Sequence, residues 1–254
     1  MTAAWIAGAP IEVAEIDERE RRLRAGPARA TMPSADSSEG RQLRRWLVQL
    51  MAAERLVLRE AQALGVTADG APEVAELADR TGLLELGSVA AALIWQHPIA
   101  RAVFLAVTRD VRITPEAIER FYAGNPELFA VPEQRVIRHA IGTDLTADTP
   151  QRTIRRGELT GPVEDAVFAA APGDTVGPIE DPLGRHVIRL EAVEPARIRS
   201  LDEACPAIER RLLAGARRRA FLAWLDTRSA ELVRLAPGFE HPGDPGQPDN
   251  THRH

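Results

Sequence analysis

Residues 161–191, GPVEDAVFAAAPGDTVGPIEDPLGRHVIRLE, change their hydrophobic period twice in a short span. Val163, Ala166 and Val167 fall on one face of a short helix, which Pro172 and Gly173 must end. TVGPI then reads as a strand, and a turn over residues 181–184 delivers an alternating strand from His186 to Val193. On that strand His186, Ile188 and Leu190 share one face. A helix, a turn, a strand, a turn and a second strand in this order predict a small unit built around a sheet.

The rest of the chain sets wider bounds. Its 254 residues can bury a full core, as one or two domains. A net charge of -5 argues against a nucleic-acid partner. All 32 basic residues counted as Lys or Arg are Arg, which points to the base composition of the coding sequence and not to function. Cys205 is the only cysteine, so no intramolecular disulfide can form; its position in a predicted helix reads as a passive thiol. The first twenty residues have no basic start and no sustained apolar run, so no secretory signal is expected. The most apolar stretch, residues 89–107, is interrupted by Gln96, His97, Pro98 and Arg101 and reads as a buried helix pair, not a membrane span. The expected location is a bacterial cytoplasm, with no membrane partner.

From the start, residues 4–15 (AWIAGAPIEVAE) predict two short strands joined by a Gly-Ala-Pro turn and running into a helix over residues 15–25. TMPSADSSEG, residues 31–40, reads as a mobile loop whose Ser38 could cap the next helix. That helix, residues 41–64, carries Leu43, Trp46, Leu47, Leu50 and Val57 at helical spacing and ends at Gly65. Less regular helices follow to residue 110. In VRITPEAIERFYAGNPELFA, residues 111–130, Thr114 is an N-cap, Pro115 suits the first helical position, and Ile118, Phe121 and Tyr122 form an apolar stripe. QRVIRHAIG, residues 134–142, predicts a strand with Ile137, His139 and Ile141 on one face. A long helix follows over residues 201–235, capped by Ser200 or Asp202, with Phe221, Leu222, Leu225 and Leu232 as buried candidates. Residues 237–254 are rich in Pro, Gly and polar side chains and should be disordered; the spacing of His241, His252 and His254 has no structural metal-ligand pattern.

The VEDAVF helix, the APGDTVGPI turn and strand, and the closing GRHVIRLE strand together resemble the C-terminal half of a parvulin, the PpiC/SurA-type peptidyl-prolyl isomerase domain. QRVIRHAIG is similar to that family's first strand, and TPEAIERFYAGNPELFA to the helix that precedes many such domains. The opening AWIAGAPIEVAE resembles the start of the SurA-like chaperone domain, with Ala7 where that family usually has Asn, and EAQALGVTADGAPEVAEL resembles a linker between its helices. The resemblance implies an α+β protein. Residues 1–130 would form a SurA-like helical domain and residues 131–197 a shortened parvulin-like domain, with the helix of residues 198–236 returning to the helical domain and 237–254 as the tail.

Prolyl isomerisation must lower an amide-resonance barrier of about 18–20 kcal/mol without a covalent intermediate. It needs an apolar cradle for the pyrrolidine ring and a polar wall beside the rotating carbonyl. The resemblance assigns the paired histidines of the wall to His139 and His186, and the cradle to Leu159, Val163, Phe168 and Leu183. The family's two helices and glycine-rich segment between the first strand and the cradle are absent here, replaced by GTDLTADTPQRTIRRGE. No residue matches the Cys or Asp that this segment usually supplies; Asp144 and Asp148 read as solvated acids, and Arg152, Arg155 and Arg156 as a charged loop that could select acidic residues before proline. The implied partners are proline-containing polypeptide clients, with no cofactor and no metal. Two functions follow: an isomerase with chaperone activity, or a chaperone-like peptide binder without turnover.

Overall fold

The computed structural model describes residues 1–142 and 144–241, apart from the side chain of Ala28. Strands β1 (Thr2–Ile6) and β2 (Ala9–Glu12) lead into helices α1 (Val13–Ala25) and α2 (Ser38–Leu64). Four shorter helices follow: α3 (Val74–Leu77), α4 (Arg80–Glu85), α5 (Gly87–Gln96) and α6 (Pro98–Thr108). Then come α7 (Pro115–Gly124), β3 (Ala130–Val131), β4 (Gln134–Ile141), β5 (Gln151–Arg155), α8 (Pro162–Ala169), β6 (Thr175–Asp181), β7 (Gly184–Glu194) and β8 (Arg197–Ile198). Helix α9 (Leu201–Leu232) and strand β9 (Val233–Leu235) close the described chain. The architecture is α+β, as the sequence predicts.

The chain divides into two compact units. One combines Met1–Ile113 with the residues from Arg210 onward, and the other is Thr114–Glu209. Helix α7, expected with the helical domain, therefore belongs with the sheet unit. The reason is local packing: the Tyr122 hydroxyl donates to the Arg199 carbonyl at 2.6 Å, and the Tyr122 ring lies 4.8 Å from that of Phe129. The first two turns of α9 belong there too, with Ala204 and Ile208 buried.

In the first unit, α2 begins earlier than expected, because Ser37 is its cap and accepts the Gly40 N–H at 3.0 Å. Leu50, Leu56, Val57, Leu93, Ile94 and Phe104 form one core with Phe221 and Leu225 of α9. The Phe104 and Phe221 rings are 5.1 Å apart. Arg228 of α9 grips buried Glu60 of α2 through two bonds, Nε to Oε2 and Nη2 to Oε1, both 2.8 Å. A bidentate pair satisfies both oxygens of a carboxylate that burial alone would penalise. Among the described residues no single helix is long and apolar enough to cross a membrane; α5 and α6 could do so only as a pair, and they meet at a bend of 112°. Leu93, Ile94, Val103 and Phe104 turn into the core from either side of that bend.

The expected last turn of α9 is instead strand β9, which pairs antiparallel with β1: Ala4 faces Leu235, Trp5 faces Arg234 and Ile6 faces Val233. The sheet order is β2-β1-β9. Residues 237–241, the start of the stretch expected to be disordered, are fixed in place. Phe239 packs on the core of Ala3, Ile11, Ile16 and Leu47, and Arg45 Nε donates to the Gly238 carbonyl at 3.2 Å. Residues 242–254 lie outside the described residues.

The turn between β1 and β2 is Ala7-Gly8, not Gly-Ala-Pro, and both residues have positive φ, 48° and 89°. Such two-residue hairpin turns favour Asn-Gly, because Cβ sterics penalise most other L residues there. Ala7→Asn should therefore raise stability by roughly 0.5–1 kcal/mol. Urea unfolding monitored by circular dichroism checks this, and an unchanged or lowered midpoint would contradict it.

Candidate functional site

The second unit is organised on a four-stranded antiparallel sheet of order β5-β4-β7-β6. Ile137, Ile154, Ile188 and Leu190 project from one face of it onto Val163, Val167 and Phe168 of α8, forming a closed core. The sequence presents strand β5 as part of a connecting loop. Its Ile154, flanked by polar residues, turns into that core, while the strand pairs along β4 from Gln134–Arg155 to Arg138–Gln151. The shortened segment thus supplies an edge strand. Arg135 secures the end of α8 by donating to the carbonyls of Ala170 and Phe168, both at 3.0 Å, which satisfies the orphan acceptors at that helix terminus.

His139 of β4 faces Ile188 of β7, and His186 of β7 faces Ile141 of β4, so the two histidines are diagonal neighbours on the core-facing side of adjacent strands. Their rings stack with centroids 5.0 Å apart, and His139 Nε2 lies 2.8 Å from His186 Nδ1. The network extends at both ends. Arg152 of β5 places Nη2 2.7 Å from His139 Nδ1, and Asp181, at the end of β6, places Oδ1 2.7 Å from His186 Nε2.

The protons in this chain follow from the end groups. A guanidinium can only donate, so His139 Nδ1 is the acceptor and the ring carries its proton on Nε2. That N–H donates to His186 Nδ1, which leaves the His186 proton on Nε2, donated to the Asp181 carboxylate. All four ring nitrogens are used, and every bond runs in one direction from Arg152 to Asp181.

The electrostatics agree. Burial lowers the His139 pKa from its ordinary value, and the positive charge of Arg152 and the neighbouring His186 reinforce this against an opposing pull from Asp181. For Asp181, desolvation pushes upward but is outweighed by the hydrogen bond from His186 and by the Leu183 and Gly184 N–H groups, so its carboxyl sits below its usual range. Those two amides reach Oδ1 at 2.7 and 3.2 Å. Asp181 is thus both the turn-former between β6 and β7 and the anchor of the histidine pair. Sequence reading recognised its turn and missed its partner; the one signal was a turn carboxylate five residues before His186.

Of the sequence-assigned cradle, Val163 and Phe168 are core residues, 2% and 8% exposed, and Leu159 is half-buried beside them. Leu183 is 76% exposed at the β6–β7 turn, adjoining the Asp181 end of the histidine chain. The structure thus brings His139 and His186 together with Asp181 and places Leu183 at that edge, while Val163 and Phe168 form the hydrophobic support beneath. Arg152 is the one arginine of its cluster that joins the histidines. Arg156 instead lies over the Phe168 ring at 4.3 Å, and Arg155 is exposed. Asp144 lies 3.7 Å from Arg185 in an exposed pair.

Two outcomes follow from this geometry. Because the folded-state pKa of His139 lies below 6.5, the unfolded chain binds more protons between that value and 6.5. The stabilising contribution is therefore complete above about pH 6.5 and is lost as the pH falls through the folded value. Urea midpoints measured between about pH 7.5 and pH 5 should fall more in the wild type than in His139→Asn; equal slopes would remove His139 as the source. Separately, Gly177 has φ 122°, and a Cβ there would stand 2.5 Å from the His186 carbonyl oxygen. Gly177→Ala should cost about 2 kcal/mol or more, read as a lowered urea midpoint, whereas a change of a few tenths would mean that the strand end is free to shift.

Residues 140–206, beginning one residue after His139, match the PPIC-type PPIASE domain family, and residues 2–39 match a family of unknown function, DUF7158. The candidate peptidyl-prolyl cis-trans isomerase NifM of Azotobacter vinelandii is 30% identical over 135 residues, 52% of this chain and 45% of that protein. NifM of Azotobacter chroococcum mcd 1 is 27% identical over 150 residues, 55% of this chain and 50% of its own. The chain thus spans about half the length of the curated relatives it matches. Among solved structures, a chain from the SurA-like chaperones PEB4 and Cj1289 of Campylobacter jejuni aligns over 91% of this chain and 96% of its own, with 16% identity and a TM-score of 0.40. The foldase PrsA of Lactococcus lactis aligns over 93% and 95%, with 10% identity and a TM-score of 0.34. Residues 140–206 of the second unit thus carry the similarity to the PPIC-type PPIASE domain family.

Proposed function

We propose that this protein is a parvulin-type peptidyl-prolyl cis-trans isomerase that acts on Xaa-Pro bonds of polypeptide clients and has an associated folding-chaperone role. The observation that carries the reading is the stacked pair of His139 and His186, bonded at 2.8 Å, with His186 inside the PPIC-type segment and His139 one residue before it. Because every ring nitrogen is already bonded, neither histidine is a general acid or base toward the client. The pair forms a polar wall of fixed dipoles, polarised from a guanidinium to a carboxylate. A prolyl amide that twists out of conjugation changes its charge distribution without exchanging a proton, and a preorganised wall can favour that twisted state over the planar one.

A second reading, peptide binding without turnover, draws support from the buried Val163 and Phe168, which leave Leu183 and Ile141 as the exposed apolar side chains beside the histidine chain. Exchange NMR on a panel of Xaa-Pro peptides separates the two. The wild type should accelerate cis/trans interconversion. His139→Ala and His186→Ala, each folded by circular dichroism, should lose about tenfold or more of that acceleration, the effect of one lost hydrogen bond that leaves its partner unsatisfied. A wild type indistinguishable from buffer on every peptide would sink the isomerase reading and leave suppression of client aggregation as the activity to measure.

A further inference from the structure

On α9, Arg210 and Arg217 stand seven residues apart, two helical turns, with Leu213 and Ala214 on the same face. Together with Glu76 and Leu77 of α3 and Phe104 of α6 they line a cavity of about 230 Å³. Its floor is apolar and closed, since Leu77 and Phe104 are buried. Two further arginines of the helix are matched to carboxylates, Arg218 to Glu85 and Arg228 to Glu60. Among the described residues, Arg210, which is exposed, and Arg217, which is half-buried, have no such partner.

The lining also states what would complete it. Two guanidinium groups and one carboxylate leave a single positive charge, which a monoanion balances and a dianion exceeds. The Glu76 carboxylate is turned toward its own helix, where Oε1 accepts the Glu73 N–H at 2.7 Å. The volume lies below the range of about 300–1,000 Å³ usual for drug-sized ligands, so the occupant is small. We propose that this cavity binds a monocarboxylate with a compact apolar body, the carboxylate on the arginines and the body against Phe104, Leu77 and Leu213. Arginine presents paired N–H groups whose geometry matches a carboxylate. This chemistry has two sources, a free short branched acid or the C-terminal apolar residue of a polypeptide.

Calorimetry on the full chain tests the site with isocaproate and with N-acetyl-Gly-Leu, each compared with its uncharged amide. Either carboxylate should bind saturably, its amide at least about tenfold more weakly, and Arg217→Met should reduce affinity by about tenfold or more with an unchanged circular dichroism spectrum. Tighter binding of the peptide identifies a polypeptide terminus as the source, and tighter binding of isocaproate identifies a free acid. If Arg217→Met does not fold, Arg210→Met provides the same comparison. The proposal is overturned if neither carboxylate saturates, if the amides bind as well as the acids, or if the folded arginine variants bind like the wild type.

Discussion

The three-residue pairing of β9 with β1 is the constraint on which the first unit depends. It joins the two ends of the described chain: the Ala7 N–H donates to the Leu232 carbonyl at 2.7 Å and the Ala236 N–H to the Ala3 carbonyl at 2.9 Å. Val233 and Leu235 thereby meet the core of Ile11, Ile16 and Leu47, while α9, held in register just before them, brings Phe221 and Leu225 to α2 and α6. Neither core is complete without the other end of the chain. The entropy of closing so long a loop rises only slowly with its length, so a few backbone bonds and a shared apolar core can hold a unit whose two parts flank Thr114–Glu209.

In the second unit a comparable economy applies to polar groups. Four side chains from four strands, Arg152, His139, His186 and Asp181, satisfy one another in a single direction. In a partly desolvated setting such a chain polarises each member, and an interruption anywhere leaves a donor or acceptor exposed to cost. The apolar layer of Ile137, Ile188, Leu190 and Val167 beneath it holds the strand register that places the histidines diagonally. Packing and polar order are therefore one device: a slip of one residue in β7 would turn His186 away from His139 and Ile188 out of the core together.

Much of this was legible from the sequence. Period-two alternation placed His186, Ile188 and Leu190 on one face, and helical spacing with capping residues located α2, α7 and most of α9. What escaped depends on partners distant in sequence. Strand β5 offers only Ile154 as an inward residue, too little to announce a strand before β4 is known as its neighbour. Val233, Arg234 and Leu235 continue a helical pattern acceptably and become a strand only because β1 has an open edge. Phe239, alone in a polar stretch, is fixed by a core built from the other end of the chain. Asp181 and Arg152 looked like a turn acid and a loop cation because a hydrogen bond to an imidazole leaves no periodic trace. In each case local residue preferences were respected, and tertiary pairing decided among the structures they allowed.

The direction of the hydrogen bonds around the histidines has a consequence for transition-metal ions. Imidazole binds zinc or copper through a ring lone pair, and two rings as close as His139 and His186 would ordinarily offer a foothold for such an ion. Here the lone pair of each Nδ1 already accepts an N–H, and each Nε2 carries the proton it donates. An arriving ion would have to displace Arg152, break the bond between the two rings, or expel the His186 Nε2 proton that Asp181 holds. The same arrangement that orders the wall therefore shields it from the ions to which paired histidines are most vulnerable.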